Sequence, residues 1–120
     1  MAESGLSAIV SVKQQRVRST NEVMYRARDL AAVRAYYHGE LGFPIIIDTP
    51  KVLGFDTGAL NLYFEPGEPN FAVLEFEVAD LDKARADLLA AGCTIVEDDP
   101  DLPRLYLRDR FGVVFNVNEA

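Results

Sequence analysis

Residues 22–43, EVMYRARDLAAVRAYYHGELGF, and residues 73–93, VLEFEVADLDKARADLLAAGC, decide the fold because they say nearly the same thing twice. Each opens on an alternating apolar run, passes through Asp-Leu, continues as an Ala-rich helical stretch and stops at a glycine. Asp29-Leu30 answers Asp80-Leu81, and Gly42 answers Gly92. A strand-like run follows each copy, Ile45 to Asp48 and Thr94 to Glu97. Each copy then closes on a last strand, Leu60 to Phe64 and Phe115 to Asn118. A unit of about fifty residues cannot bury its own apolar face, so the copies must share a core or pair with a partner. The interface between them is the natural place for a site.

Working outward, Val23, Tyr25 and Ala27 alternate with Glu22, Met24, Arg26 and Arg28, the period of a strand buried on one face. Asp29 suits an N-cap, and Leu30, Val33, Tyr37 and Leu41 recur at helical spacing behind it up to Gly42. Residues 43–48, 51–56 and 59–65 read as strands, with Gly54 as a candidate bulge and Asp56-Thr57-Gly58 as a tight turn. Pro66-Gly67-Glu68-Pro69-Asn70 is the densest Pro/Gly stretch and reads as a linker. Beyond it, residues 71–78 repeat the strand, and Asp80 caps a helix with the apolar stripe Leu81, Ala84 and Leu88 and an exposed Lys83/Asp87 pair. Strands near 93–98, 103–108 and 113–118 follow, the last two joined by Asp109-Arg110-Phe111-Gly112, which suits a turn closed by a left-handed glycine. The expected organisation is an extension over residues 1–21, a βαβββ module over 22–65, the linker 66–70 and a second module over 71–120. The extension has one short apolar alternation, Ala8 to Val12, compatible with an edge strand, an arm over a partner subunit or a partly disordered lead-in.

Across 120 residues the formal charge is −7, which argues against nucleic acid and anionic membranes as partners, since both need a basic face. An acidic chain attracts cationic ligands or simply stays soluble. A single cysteine, Cys93, excludes an internal disulfide and a thiolate zinc cluster and makes the cytoplasm the default compartment. No apolar run has the length of a membrane span, and the first residues carry no basic segment ahead of a long apolar core, so no export signal is read.

The order and spacing of RARDLAAVRAYYHGELGF, of FEVADLDKARADLLAAG and of the Asp-x-x-Gly turn before the last strand resemble the vicinal oxygen chelate superfamily, which groups glyoxalase I, bleomycin resistance proteins and extradiol dioxygenases. The resemblance covers residues 22–118. It implies an α+β fold in which two βαβββ modules form a curled mixed sheet around a cup-shaped cavity, paired within one chain or across a dimer. Family enzymes usually hold a divalent metal there, with ligands at the first position of each opening strand and in the middle of each closing strand. Counted from the two Asp-Leu pairs, the opening positions, where histidine is typical, are Glu22 and Val73. The closing positions, where glutamate is typical, are Asn61 and Asn116. Valine cannot coordinate, and an amide brings only a neutral carbonyl where a hard cation wants a carboxylate. The metal site is therefore expected to be lost, leaving no cofactor.

If the old ligand positions point into the cup, strand parity sends their alternate neighbours there too. The expected lining is Glu22, Met24 and Arg26; Asn61, Tyr63 and Glu65; Val73, Glu75 and Glu77; and Val114, Asn116 and Asn118, with Tyr63 or Tyr106 offering a stacking face. The opposite parity, Val23, Tyr25, Ala27, Leu60, Leu62, Phe64, Leu74, Phe76, Val78, Val113, Phe115 and Val117, is almost wholly apolar and suits the surface beneath the helices. The charged lining is equally compatible with an internally paired network on a wetted sheet face. His38, the only histidine, reads as a solvated helix residue; Cys93 reads as core; the acidic run Glu97 to Asp101 reads as a solvated loop.

Three functions are compatible with this pattern. The first is a cytoplasmic, homodimeric glyoxalase/bleomycin resistance-like protein, without metal, that binds a polar or cationic small molecule for sequestration or sensing. The second is a metal-free or unusual-ligand enzyme of the same fold (a lyase, isomerase or dioxygenase-like protein), with Glu22 or Glu75 as general base. The third is an assembly subunit with a vestigial cavity. The missing ligand set favours a binding protein over an enzyme.

Overall fold

The structure, a computed structural model, describes residues 17–120. Its elements are β1 (Arg18–Ala27), α1 (Leu30–Arg34) prolonged by a π-helical segment (Ala35–Glu40), β2 (Ile45–Asp48), β3 (Leu53–Asp56), β4 (Asn61–Pro66), β5 (Val73–Val78), α2 (Leu81–Ala90), β6 (Thr94–Asp99), β7 (Arg104–Arg108) and β8 (Val114–Glu119). The fold is α+β, and βαβββ occurs twice, as the repeat requires. Most of the expected N-terminal extension lies outside the described residues. Its described end is strand, since β1 begins at Arg18 rather than at the expected Glu22.

The chain forms two compact units, one of Asn21–Val73 and one of Leu74–Ala120 joined by the described residues 17–20. In the first, the strand order is β2-β3-β4-β1, antiparallel except for the parallel β1/β4 pair. In the second, β6-β7-β8-β5 repeats that order, with β5/β8 parallel.

Each helix begins where an aspartate in extended conformation turns its side chain onto free amides. Asp29 Oδ1 accepts from the N–H of Ala31 (3.0 Å) and Ala32 (3.2 Å), and Asp80 Oδ1 from that of Lys83 (3.0 Å). Each helix ends at a glycine of positive φ, Gly42 (79°) or Gly92 (104°), a conformation other residues adopt only under strain. The expected Lys83/Asp87 pair is present at 3.1 Å.

Packing follows strand parity. Beneath α2, Val78, Leu105, Leu107, Phe115 and Val117 are buried together with Ala84 and Cys93, and Leu81 and Leu88 press on them from the helix. Val17 joins this core. Beneath α1, Leu53, Phe55 and Phe64 are buried, with Tyr25, Leu30, Val33, Tyr37, Phe43 and Leu62 around them. Leu60, Leu74 and Val113, at strand ends beyond the helices' reach, stay exposed. The first helix departs from expectation in its second half. The i→i+5 winding of Ala35–Glu40 shifts the apolar stripe, so that Leu41 is exposed and Phe43 replaces it in the core. Tyr37 sits at the centre of that core, 5.2 Å from the Phe64 ring and 5.5 Å from that of Phe55.

The bulge expected at Gly54 is elsewhere. Gly54 pairs regularly with Tyr63, and the register instead shifts between Ile45 and Ile47 and, in the second module, between Ile95 and Glu97. The two bulges occupy the same place in the repeat. Each delivers an aspartate to the helix side of the sheet, where it meets the arginine five residues after the N-cap. Arg34 donates to both carboxylate oxygens of Asp48 (2.6 and 3.1 Å), and Arg85 to Asp98 (2.6 Å).

The Arg34 guanidinium, through its hydrogen bonds and then its charge, holds the Asp48 carboxyl below its ordinary value of 3.8 despite some desolvation. The Asp48 contribution to stability is therefore complete above that ordinary value and is lost as pH falls through the depressed one. Asp48→Asn is expected to flatten this part of the acid unfolding curve, followed by circular dichroism from about pH 5 to about pH 2, and to leave unfolding near neutral pH only slightly easier.

Candidate functional site

The sheet face opposite each helix carries the polar residues singled out above. Residues directly opposed on paired strands share a face, so the registers give the composition of each row. In the first module one row reads Ile47, Gly54, Tyr63, Met24; the next reads Asp56, Asn61, Glu22; a third pairs Glu65 with Arg26. In the second module one row reads Glu97, Tyr106, Asn116, Glu75, and another pairs Asn118 with Glu77. Glu22, Met24, Arg26, Asn61 and Tyr63 thus lie together in the first unit. Glu75, Glu77, Tyr106 and Asn116 lie together in the second, with Val114 two residues before Asn116 on β8. Val73 opens β5.

The registers correct one expectation. Asn61 faces Glu22, whereas Asn116 faces Glu75, two residues beyond Val73. The two asparagines are therefore not equivalent. The residue facing Met24, two beyond Glu22, is Tyr63, which makes Tyr63 the first-module counterpart of Asn116. Its ring closely covers Gly54: a methyl group there would meet the Tyr63 ring at 2.6 Å and the Ile47 side chain at 2.7 Å. The glycine serves close approach rather than a bulge.

Much of the charge on these faces is matched internally. Arg26 Nε donates to Glu65 Oε1 at 3.0 Å across the β1/β4 pair. Arg104 donates to Glu97 at 3.3 Å and lays its guanidinium 4.7 Å from the centre of the Tyr106 ring. Tyr106 is 5 % exposed, so the stacking face expected of it is already covered. Val73 and Val114 are similarly buried, at 5 % and 3 %. Glu97 ends the expected strand-like run and opens the acidic run that reads as a loop. The strand continues through it to Asp99, and the bulge at Val96 turns Glu97 onto the polar face, a change of parity that nothing in the acidic run marks.

Three side chains form a directed chain across β8 and β5. The Leu105 N–H can only donate, so the Asn116 atom facing it at 2.9 Å is the carbonyl Oδ1. The Asn116 NH₂ is thereby turned to Asn118 Oδ1 at 3.4 Å, and Asn118 Nδ2 donates to Glu75 Oε2 at 2.8 Å. Among the described residues no lysine or arginine pairs with Glu75 or Glu77.

The family metal does not fit this donor set. Of the positions counted for ligands, only Glu22 has a carboxylate. Val73 has no donor atom, Tyr63 replaces Asn61 as the equivalent closing residue, and the Asn116 carbonyl is engaged. Among the described residues no three of His, Cys, Asp and Glu gather closely enough to hold an ion. His38 is exposed and its Nδ1 faces the Phe43 carbonyl at 2.8 Å, which fixes the proton on that nitrogen. Cys93 is core. Burial, and then the nearby Asp109 charge, push its thiol above the ordinary value of 9.0. A shallow cleft of about 400 Å³ in the first module is lined by Arg28, Arg34, Asp48, Thr49 and their neighbours. Its arginines are engaged with Glu68 and Asp48.

Residues 19–117 match the model of the glyoxalase/bleomycin resistance protein/dioxygenase superfamily, and the chain belongs to that family. No curated protein matches it. Among solved structures it is similar to a hypothetical protein from Bacillus halodurans (TM-score 0.65, 14% identity, 87% of this chain and 94% of that one). It is also similar to a superfamily member from Vibrio splendidus (TM-score 0.64, 10% identity, 87% and 99%). Homoprotocatechuate 2,3-dioxygenase from Brevibacterium fuscum, in complex with 3,4-dihydroxyphenylacetate, aligns at TM-score 0.62 and 20% identity over 84% of this chain but only 36% of its own length. At these identities the likeness is one of fold.

Two outcomes test the site as described. Asn116→Leu leaves the buried Leu105 N–H without its acceptor and should cost about 1–3 kcal/mol in urea unfolding, whereas Asn116→Asp keeps the acceptor and should cost less. Gly54→Ala should cost about 1–3 kcal/mol through displacement of Tyr63. Equal losses for the two Asn116 variants would argue against the carbonyl's role.

Proposed function

We propose that this chain is a metal-independent member of the superfamily that binds a small, positively charged organic molecule on the polar sheet face, for sequestration or sensing, without converting it. The observation that carries this reading is the pair Glu75 and Glu77. Both are half-buried, point to one face of β5, and are matched by no cation among the described residues, while Arg104 on that face is committed to Glu97. Glu75 is in addition held in place through Asn118. A fixed, partly desolvated carboxylate loses less entropy on binding an ammonium or guanidinium than a mobile one. In the first module, Glu22, Met24, Asn61 and Tyr63 make up a separate polar face of their own.

A homodimer is part of the same proposal, which light scattering would check as about twice the 13.3 kDa chain mass. A cytoplasmic setting agrees with the free thiol of Cys93; among the described residues no helix is long and apolar enough to cross a membrane.

The test is a thermal-shift and calorimetric screen of amine- and guanidinium-bearing compounds against neutral molecules of the same shape. Cationic compounds should bind preferentially and more weakly as salt rises. The best of them should lose at least about tenfold in affinity in Glu75→Gln/Glu77→Gln, the loss of roughly one charged contact. Binding that ignores charge, or that survives the double substitution, would overturn the reading. Chemical change in a bound compound would move the protein to the enzymes, with Glu75 or Glu22 as the base to examine.

A further inference from the structure

We infer that the closing-strand position at which the family places a metal ligand has become, in this chain, a structural clasp: the Asn116 amide completes the β7/β8 pairing and orients Asn118 and Glu75, and the position takes no divalent ion. The inference deepens the metal-independent reading proposed for this chain and rests on the same superfamily membership.

The repeat makes each module a control for the other. In the first module the β3/β4 ladder runs from Asp56↔Asn61 through Phe55↔Leu62 and Gly54↔Tyr63 to Leu53↔Phe64. The corresponding β7/β8 ladder runs through Arg108↔Val114 and Leu107↔Phe115 but stops at Tyr106↔Asn116. The pair that would come next joins Leu105, the counterpart of Leu53. Leu105 is 5 % exposed, and its N–H cannot be left without an acceptor. The Asn116 side chain supplies one at 2.9 Å. Tyr63, at the equivalent place in the first module, has no need to do so, because Leu53 is paired through the main chain.

One constraint then propagates. With Oδ1 facing the Leu105 N–H, the Asn116 amide cannot flip, so its NH₂ faces Asn118 Oδ1. Asn118 is oriented in turn, with its NH₂ on Glu75 Oε2. A metal ion at this position would have to take the Asn116 carbonyl, the only coordinating atom of that side chain, and strip a buried main-chain donor of its partner. Glu22 is the one carboxylate among the residues counted for ligands, and a single carboxylate does not select a divalent ion.

The test uses the intact protein labelled with ¹⁵N. Manganese(II), a paramagnetic probe of even weak binding, is titrated while the side-chain NH₂ signals of Asn116 and Asn118 and the Leu105 amide are followed. These signals should not broaden selectively, and protein equilibrated with zinc, nickel or iron(II) and then gel-filtered should retain no stoichiometric ion. Broadening centred on them, or one retained ion per chain, would overturn the inference. The clasp is read separately in Asn116→Asp. This variant keeps the Leu105 acceptor and should leave the Leu105 amide protected from exchange while the Asn118 NH₂ signals move; an unmoved Asn118 would refute the relay. Failure here is distinguishable from failure of the ligand reading. Absence of any cationic ligand leaves the manganese result as it stands, and metal uptake does not depend on the organic compound screen.

Discussion

Each module depends on the alternation of its strands. Four paired strands can give a helix only every second side chain, and in both copies that set is almost wholly apolar. Leu53, Phe55 and Phe64 lie under α1, and Leu105, Leu107, Phe115 and Val117 under α2. Burial of this set is the main favourable term available to so small a unit. Once it is satisfied, the composition of the other face is free to serve another purpose. Polar residues accumulate there without cost to the core, which is why one scaffold can host unrelated chemistries.

The bulges in β2 and β6 refine that constraint. An extra residue at Ile46 or Val96 reverses the parity of the rest of its strand. Asp48 and Asp98 are thereby sent to the helix side, and Ile47 and Glu97 to the other. The aspartates meet Arg34 and Arg85, so the same ion pair ties helix to strand in both copies. On the polar face the outcome diverges. The first module places Ile47, Gly54 and Tyr63 in a row and makes it an aromatic surface. The second places Glu97, Tyr106 and Asn116 in the equivalent row and fills it with an ion pair, a covered ring and an amide relay. Duplication conserved the packing and left the faces to differ.

The βαβββ repeat, the helix caps Asp29 and Asp80, the terminating glycines and the parity of most paired strands were legible in the amino-acid order, because each rests on interactions within a few residues or on simple periodicity. The residue order also put Glu22 and Val73 where histidine is typical of the family, and Asn61 and Asn116 where glutamate is. Features whose cause is not local left no such mark. The π-helical turn exchanges Leu41 for Phe43 in the core, and its wider winding leaves no mark in the apolar spacing of the helix. The bulges depend on how two strands slide against each other. The non-equivalence of Asn61 and Asn116 appears only when the registers are compared, since the spacing to a cap on one strand does not fix the pairing of another.

The sequence by itself therefore determined the fold class, the two modules and which face of most strands is buried, because hydrophobic periodicity is written residue by residue. Only the tertiary structure decided which polar side chains are spoken for. That Arg104 covers Tyr106, that Asn116 stands in for a main-chain acceptor, and that Glu75 and Glu77 meet no cation among the described residues are facts of cross-strand geometry. They follow from where the registers place donors, acceptors and charges that lie far apart in the chain, and a linear pattern contains no record of those distances.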